Sequence, residues 1–113
     1  MNIERFADYQ VAAARTINKN LSIFDIGQHA IYGMCSEVGE LQGMYQKMFQ
    51  GHPFDEEHAK KEIGDLLWFI AEYATIHDRS LEEIAGKNIE KLLARYPDGF
   101  DPEKSLHRKE GDV

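Results

Sequence analysis

Two stretches of apolar residues at helical spacing, separated by four residues that break a helix, constrain this chain most. After Ser22, the residues Ala30, Met34, Val38, Leu41, Tyr45 and Met48 recur every three or four positions up to Gly51, which places them along one side of a helix. Gly51-His52-Pro53-Phe54 reads as a turn, and Asp55 opens a second stretch whose apolar line is Ala59, Ile63, Leu66, Leu67, Ile70 and Ala74. Ser22, with Asp25 three residues on, and Asp55 are the expected N-caps, because a short oxygen-bearing side chain satisfies the unpaired amides of a first helical turn. The first helix would be about 40 Å long at about 1.5 Å per residue. So short a turn returns the second helix antiparallel beside it. Trp68, Phe69 and Tyr73 widen the second apolar line almost all the way round, which predicts a central helix or one at a subunit interface.

Shorter elements flank this hairpin. Ile3, Phe6, Ala13 and Ile17 behind Asn2, a candidate N-cap, predict an amphipathic helix over 3–19. Ser80 and Glu83 form a capping-box pattern for a fourth helix carrying Leu81, Ile84, Ile89, Leu92 and Leu93, ended by Pro97. Residues 101–113 read as a charged, mobile tail beyond a single domain over 1–100. Val and Thr together number only five while Ala, Glu, Lys and Leu are abundant, so an all-β fold is excluded. The expectation is an all-α fold, a bundle of about four helices around an antiparallel central hairpin.

A net charge of −7 argues against a broad surface for nucleic acid or anionic membrane, since phosphate backbones are held by clustered Lys and Arg. A compact phosphate site stays open. No apolar run approaches the roughly 20 residues of a membrane span and the N-terminus lacks a signal-peptide pattern, so a cytoplasmic protein is expected. The single cysteine, Cys35, has no internal disulfide partner and no zinc-finger spacing, and reads as core filler. Gly39, Gly43, Gly64 and Gly86 fall inside the expected helices, each at a cost of about 1 kcal/mol relative to Ala. Close approach of helix backbones and room for a ligand are the two reasons open for them.

The chemistry lies in two carboxylate pairs. Glu37 and Glu40 are three residues apart on the first hairpin helix, and Glu62 and Asp65 repeat the spacing on the second. In so acidic a chain such pairs also arise by chance, so placement carries the argument. At about 1.5 Å per residue the first pair lies some 15 Å before the turn and the second some 11 Å after it, at nearly the same height. Four carboxylates brought together repel one another unless a cation neutralises them. Oxygen donors alone favour Mg²⁺ or Mn²⁺ over zinc, and the Glu-x-x-His pairs of di-iron bundles are missing. His58, four residues before Glu62, could add a nitrogen ligand, but a surface histidine is the preferred reading. Carboxylate-bound Mg²⁺ commonly holds substrate phosphates. Lys87, Lys91 and Arg95, with Asn88 alongside, make a cationic stripe on the fourth helix that reads either as a phosphate contact or as a solvated face paired with Glu83 and Glu90. Lys47 is ambiguous in the same way.

Glu-Val-Gly-Glu-Leu at 37–41, Lys-Glu-Ile-Gly-Asp-Leu-Leu-Trp at 61–68, Ser-Leu-Glu-Glu-Ile at 80–84 and Lys-Asn-Ile-Glu-Lys-Leu-Leu-Ala-Arg-Tyr-Pro-Asp-Gly-Phe at 87–100 together resemble the MazG-like nucleotide pyrophosphohydrolases, from about Tyr9 to Phe100. The resemblance implies an all-α dimer or tetramer that cleaves a nucleoside triphosphate, NTP or dNTP, to the monophosphate and pyrophosphate through attack of metal-activated water on the α-phosphorus. It implies Glu37, Glu40, Glu62 and Asp65 as ligands of Mg²⁺, with Mn²⁺ as substitute, and Lys47, Lys87, Asn88, Lys91 and Arg95 as contacts to phosphates or sugar. Trp68, with Phe69 and Tyr73, either stacks on a base or packs in the core. Many relatives carry Glu just before the first motif, where this chain has Ser36. The competing reading is a non-catalytic helical interaction module that binds metal or nucleotide.

Overall fold

The computed structural model describes residues 2–113. Their regular elements are all helices: α1 (Phe6–Ala14), α2 (Ile23–Met48), α3 (Glu56–Ile76), α4 (Leu81–Arg95) and α5 (Pro102–Leu106). Packing separates the chain into two units, one ending at Leu81 and the other Glu82–Val113.

Local chemistry sets the ends of the long helices. Ser22 Oγ accepts from the Asp25 amide at 3.1 Å and Asp55 Oδ1 from the His58 amide at 3.1 Å, as the sequence predicts. α2 stops because Gly51 takes φ +90°, which lets the His52 amide reach the Lys47 carbonyl and the Gly51 amide the Met48 carbonyl. α3 stops the same way, but the left-handed residue is Asp78 (φ 55°), with Arg79 N bonded to Ala74 O and Asp78 N to Thr75 O. α1 is shorter than expected and starts later. Asn2 is not its cap. The Asn2 side chain instead donates to Glu4, and the Asp8 carboxylate receives the Arg5 amide at 3.1 Å at the start of the helix. Past Ala14, one-turn bonds from Arg15, Thr16 and Ile17 replace the predicted continuation to 19.

In the first unit α3 packs against both α1 and α2. Ala13, Ala71, Ala74 and Leu81 form a buried cluster covered by Tyr9, Trp68 and Ile70. Gln10 ties its polar edge, donating to Thr75 Oγ1 and Arg79 O and accepting from the Leu81 amide. The Trp68 indole N–H donates to Ala13 O and Thr16 Oγ1, so its donor is satisfied inside this unit. Along the α2–α3 seam the Phe69 ring occupies the space a Cβ at Gly33 would need. One turn further, the buried Glu72 carboxylate meets His29 Nδ1 at 3.0 Å.

Several expectations are corrected here. Gly39, Gly43, Gly64 and Gly86 have nothing within 4 Å of a Cβ position, so close packing inside the chain is not their reason. Val38, Tyr45, Met48 and Ile63, assigned to the core stripes, are exposed. The apolar stripes are wider than the contact between the two helices. Cys35 is exposed as well and fills no core.

In the second unit, Gly99 (φ +92°) turns the chain after α4, and Asp101 caps α5 by accepting from the Glu103 amide at 3.0 Å. Arg95 forms a two-pronged ion pair with Asp112, at 2.8 Å from Nε and 2.7 Å from Nη2. Residues 101–113, expected to be a mobile tail, thus carry a short helix and an anchored carboxylate.

The glycine contrast yields a stability test. Gly33→Ala should lose about 2–3 kcal/mol by overpacking against Phe69. Gly39→Ala and Gly64→Ala should each gain about 0.5–1 kcal/mol from helix propensity. Urea denaturation of the three variants measures both signs.

Candidate functional site

The seam that seats Phe69 on Gly33 brings the acidic residues together one turn further along. Glu37 from α2 and Glu62 and Asp65 from α3 each present a carboxylate oxygen, and these lie within 4.8 Å of one another. Glu37 and Glu62 are half-buried and Asp65 is exposed. Glu37 Oε2 is buried with no hydrogen-bond partner. A buried acceptor left unpaired carries a desolvation cost that a cation or proton would remove.

Protonation follows from this crowding. The Glu37 carboxyl is pushed up to about 7, first by the hydrogen bond it shares with Glu62, then by burial and by the charges of Glu62, Asp65 and Glu40. Glu62 moves down, chiefly through that same bond and against its own burial, with help from His58. His58 Nε2 sits 3.0 Å from Glu62 Oε1. With the Glu37 carboxyl raised and that of Glu62 lowered, a proton taken up by the pair below about pH 7 would sit on Glu37. The hydroxyl of Tyr9 on α1 is pushed up by burial and then by the Asp65 charge, a coupling to the cluster that sequence reasoning missed.

Three of the four expected ligands are brought together and the fourth stands aside. Glu40 is exposed and outside the group of three, though its charge is felt at Glu37. The donor set is oxygen only, with His58 already bonded to Glu62, which suits a hard divalent cation. Lys47 is exposed in the last turn of α2, and Ser36 is exposed beside Glu37. Within the second unit Lys87, Asn88 and Lys91 are exposed on α4. The Arg95 side chain is only 9% exposed, being held by Asp112.

Cation binding must displace the Glu37 proton. Since the Glu37 carboxyl titrates near about 7, affinity for Mn²⁺ should rise about tenfold per pH unit below that value and level off above it. Glu37→Gln should remove this slope, weaken binding and, above about pH 7 where Glu37 is ionised, raise the melting temperature of the cation-free protein by on the order of a few degrees through relief of repulsion. Calorimetric titration at pH values spanning neutrality, with thermal melts in chelator, measures these outcomes.

Comparison with curated proteins and with solved structures yields no match. The family model for the MazG nucleotide pyrophosphohydrolase domain matches residues 27–100, a span containing both acidic motifs and the whole of α4. The chain belongs to the MazG nucleotide pyrophosphohydrolase domain family.

Proposed function

We propose that this protein hydrolyses a nucleoside triphosphate to the monophosphate and pyrophosphate. The observation that carries this reading is the unpartnered Glu37 oxygen among three converging carboxylates, in a chain whose family acts on nucleotides. Glu37, Glu62 and Asp65 would hold Mg²⁺, or Mn²⁺ in its place, with Glu40 at the margin. When bound, the cation lowers the pKa of water and neutralises charge developing on phosphate oxygens.

The side chains divide the remaining tasks. Glu37 would give up any proton it holds on loading, and the His58 contact favours the ionised form of Glu62 alongside the larger effect of its bond to Glu37. Glu40, exposed and outside the cluster of three, is available to take the proton of the attacking water. That water forms a bond to the α-phosphorus, the bond from the α-phosphorus to its bridging oxygen breaks, and pyrophosphate leaves with the electron pair. Lys47, Lys87, Asn88 and Lys91 would bind phosphates or sugar as exposed cations and a side-chain amide. Trp68, with its N–H bonded internally, serves packing.

Exposed aromatic residues on α2, among them Phe24 and Tyr32, and Phe49 just after it at 94% exposed, support assembly as a homodimer or homotetramer. A triphosphate substrate and a lone, unpaired cysteine fit a cytoplasmic setting. Light scattering at micromolar concentration should give a dimer or tetramer mass. A monomer mass would refute the assembly.

The activity itself is tested by incubating the protein with a panel of nucleoside triphosphates and Mg²⁺ or Mn²⁺ and following pyrophosphate against orthophosphate. Pyrophosphate should appear. Glu62→Gln and Glu37→Gln should lower its release by on the order of 10³ or more with unchanged circular dichroism, and Lys91→Ala by about tenfold. Wild-type turnover in Glu40→Gln would remove Glu40 from proton transfer. Orthophosphate would mark a different phosphohydrolase, and silence with cation binding would favour the interaction module.

A further inference from the structure

The second unit sorts its charges. From Glu82 onward the chain has six Lys or Arg residues and eight Asp or Glu residues, so on average it is acidic. Yet α4 and the C-terminal segment enclose a cavity of about 480 Å³ whose lining includes Lys91, Arg95, Lys104, Arg108 and Lys109 but only one acid, Asp112. Five of six cations and one of eight acids therefore face a single pocket, of a size suited to a small ligand. A concave wall of like charge with low-dielectric backing concentrates its potential and attracts counter-ions.

Asp112 reports on what the pocket holds. Its carboxylate takes both prongs of the Arg95 guanidinium, in the side-by-side geometry that a phosphate also satisfies. Its carboxyl is held below the usual range, first by the bond to Arg95 and then by the charges of Arg95, Arg108 and Lys91, against the effect of its own burial. One carboxylate offsets only one of five positive charges. About four remain, close to the charge of a pyrophosphate or triphosphate group.

We propose that this pocket binds a polyphosphate group, and that Asp112 is the resident anion which the polyphosphate displaces from Arg95. The two sources of such a group are free pyrophosphate and the triphosphate of a nucleotide. Displacement frees the Arg95 fork for phosphate oxygens, while Lys104, Arg108 and Lys109 bring charge from a segment outside the region matched by the family model. The C-terminal segment then acts as a built-in competitor that weakly bound monoanions cannot remove. The choice of polyphosphate among anions rests on the pyrophosphohydrolase reading.

The test uses the full chain in chelator, without divalent cations, titrated calorimetrically with sodium pyrophosphate, orthophosphate, a nucleoside triphosphate or a single-stranded oligodeoxynucleotide. Pyrophosphate should bind at least about tenfold more tightly than orthophosphate, with affinity falling as salt rises. The double variant Arg108→Ala, Lys109→Ala and the single variant Lys104→Ala should weaken pyrophosphate binding, the former by about tenfold or more. Asp112→Asn should tighten it severalfold. A triphosphate that binds as tightly as pyrophosphate, with the same response to the variants, identifies substrate as the source, and weaker triphosphate binding identifies free pyrophosphate. Unchanged affinity in the tail variants, weaker binding in Asp112→Asn, no pyrophosphate binding, or tighter binding of the oligonucleotide would each overturn the proposal. A failed pocket would leave pyrophosphate release from nucleotides intact, whereas a failed functional reading would abolish that release with pyrophosphate binding unaltered.

Discussion

The contact between the Phe69 ring and the bare Cα of Gly33 sets the register of the α2–α3 seam. Helices pack by fitting side chains of one into gaps of the other, and a glycine opposite an aromatic ring offers a gap at one height only. That height decides which residues meet on either side of it. Toward the turn it brings Glu37 to Glu62 and Asp65. Away from the turn it brings His29 to Glu72, a carboxylate that burial makes dependent on its partner. A slip of one turn would separate the three acids and leave Glu72 unpaired. The same fit therefore stabilises the hairpin and assembles the acidic cluster.

The cluster works against the fold that builds it. Ionised carboxylates within about 5 Å repel by on the order of 1–3 kcal/mol at the effective dielectric of a protein surface, a sizeable part of the stability of a small domain. The raised Glu37 carboxyl, which can take up a proton below about pH 7, lessens this repulsion, and the bonds from Glu37 and His58 favour the ionised form of Glu62. A group ionised with difficulty in the free state and readily beside a cation couples occupancy to pH. Stability, protonation and ligand binding thus meet in a single side chain.

What the sequence made legible was local. Ser22, Asp55 and Gly51 act through hydrogen bonds and dihedral angles a few residues long, so their roles follow from identity and position. That α2 and α3 bring acids to one height was legible because helix geometry carries spacing across a short turn, whereas the placement of Glu40 outside the group formed by Glu37, Glu62 and Asp65 was not. The reason for the glycines stayed open in the sequence for the opposite cause. Whether a glycine marks close approach depends on what stands across from it, and no spacing rule distinguishes Gly33, which faces Phe69, from Gly39, which faces open space. Exposure of Val38 and Ile63 was hidden likewise, since periodicity shows which side of a helix is apolar and not how much of it a neighbour covers. The pairs His29–Glu72 and Arg95–Asp112 join residues distant in sequence and had no local signal.

Net charge speaks to broad surfaces and does not locate compact sites. At −7 the chain disfavours an extended phosphate backbone, while screening in physiological salt confines a charge to about 8 Å. A ligand responds to charges within that distance and scarcely to the molecular sum. In the second unit an acidic average coexists with a pocket lined by five cations, because acids and bases fall on different surfaces of α4 and its C-terminal extension. A concave cationic lining of this kind would draw anions more strongly than the acidic average of its unit suggests. It would also favour a compact polyanion over an extended one, because a pocket of about 480 Å³ can surround a small phosphate group and only a short stretch of a polymer.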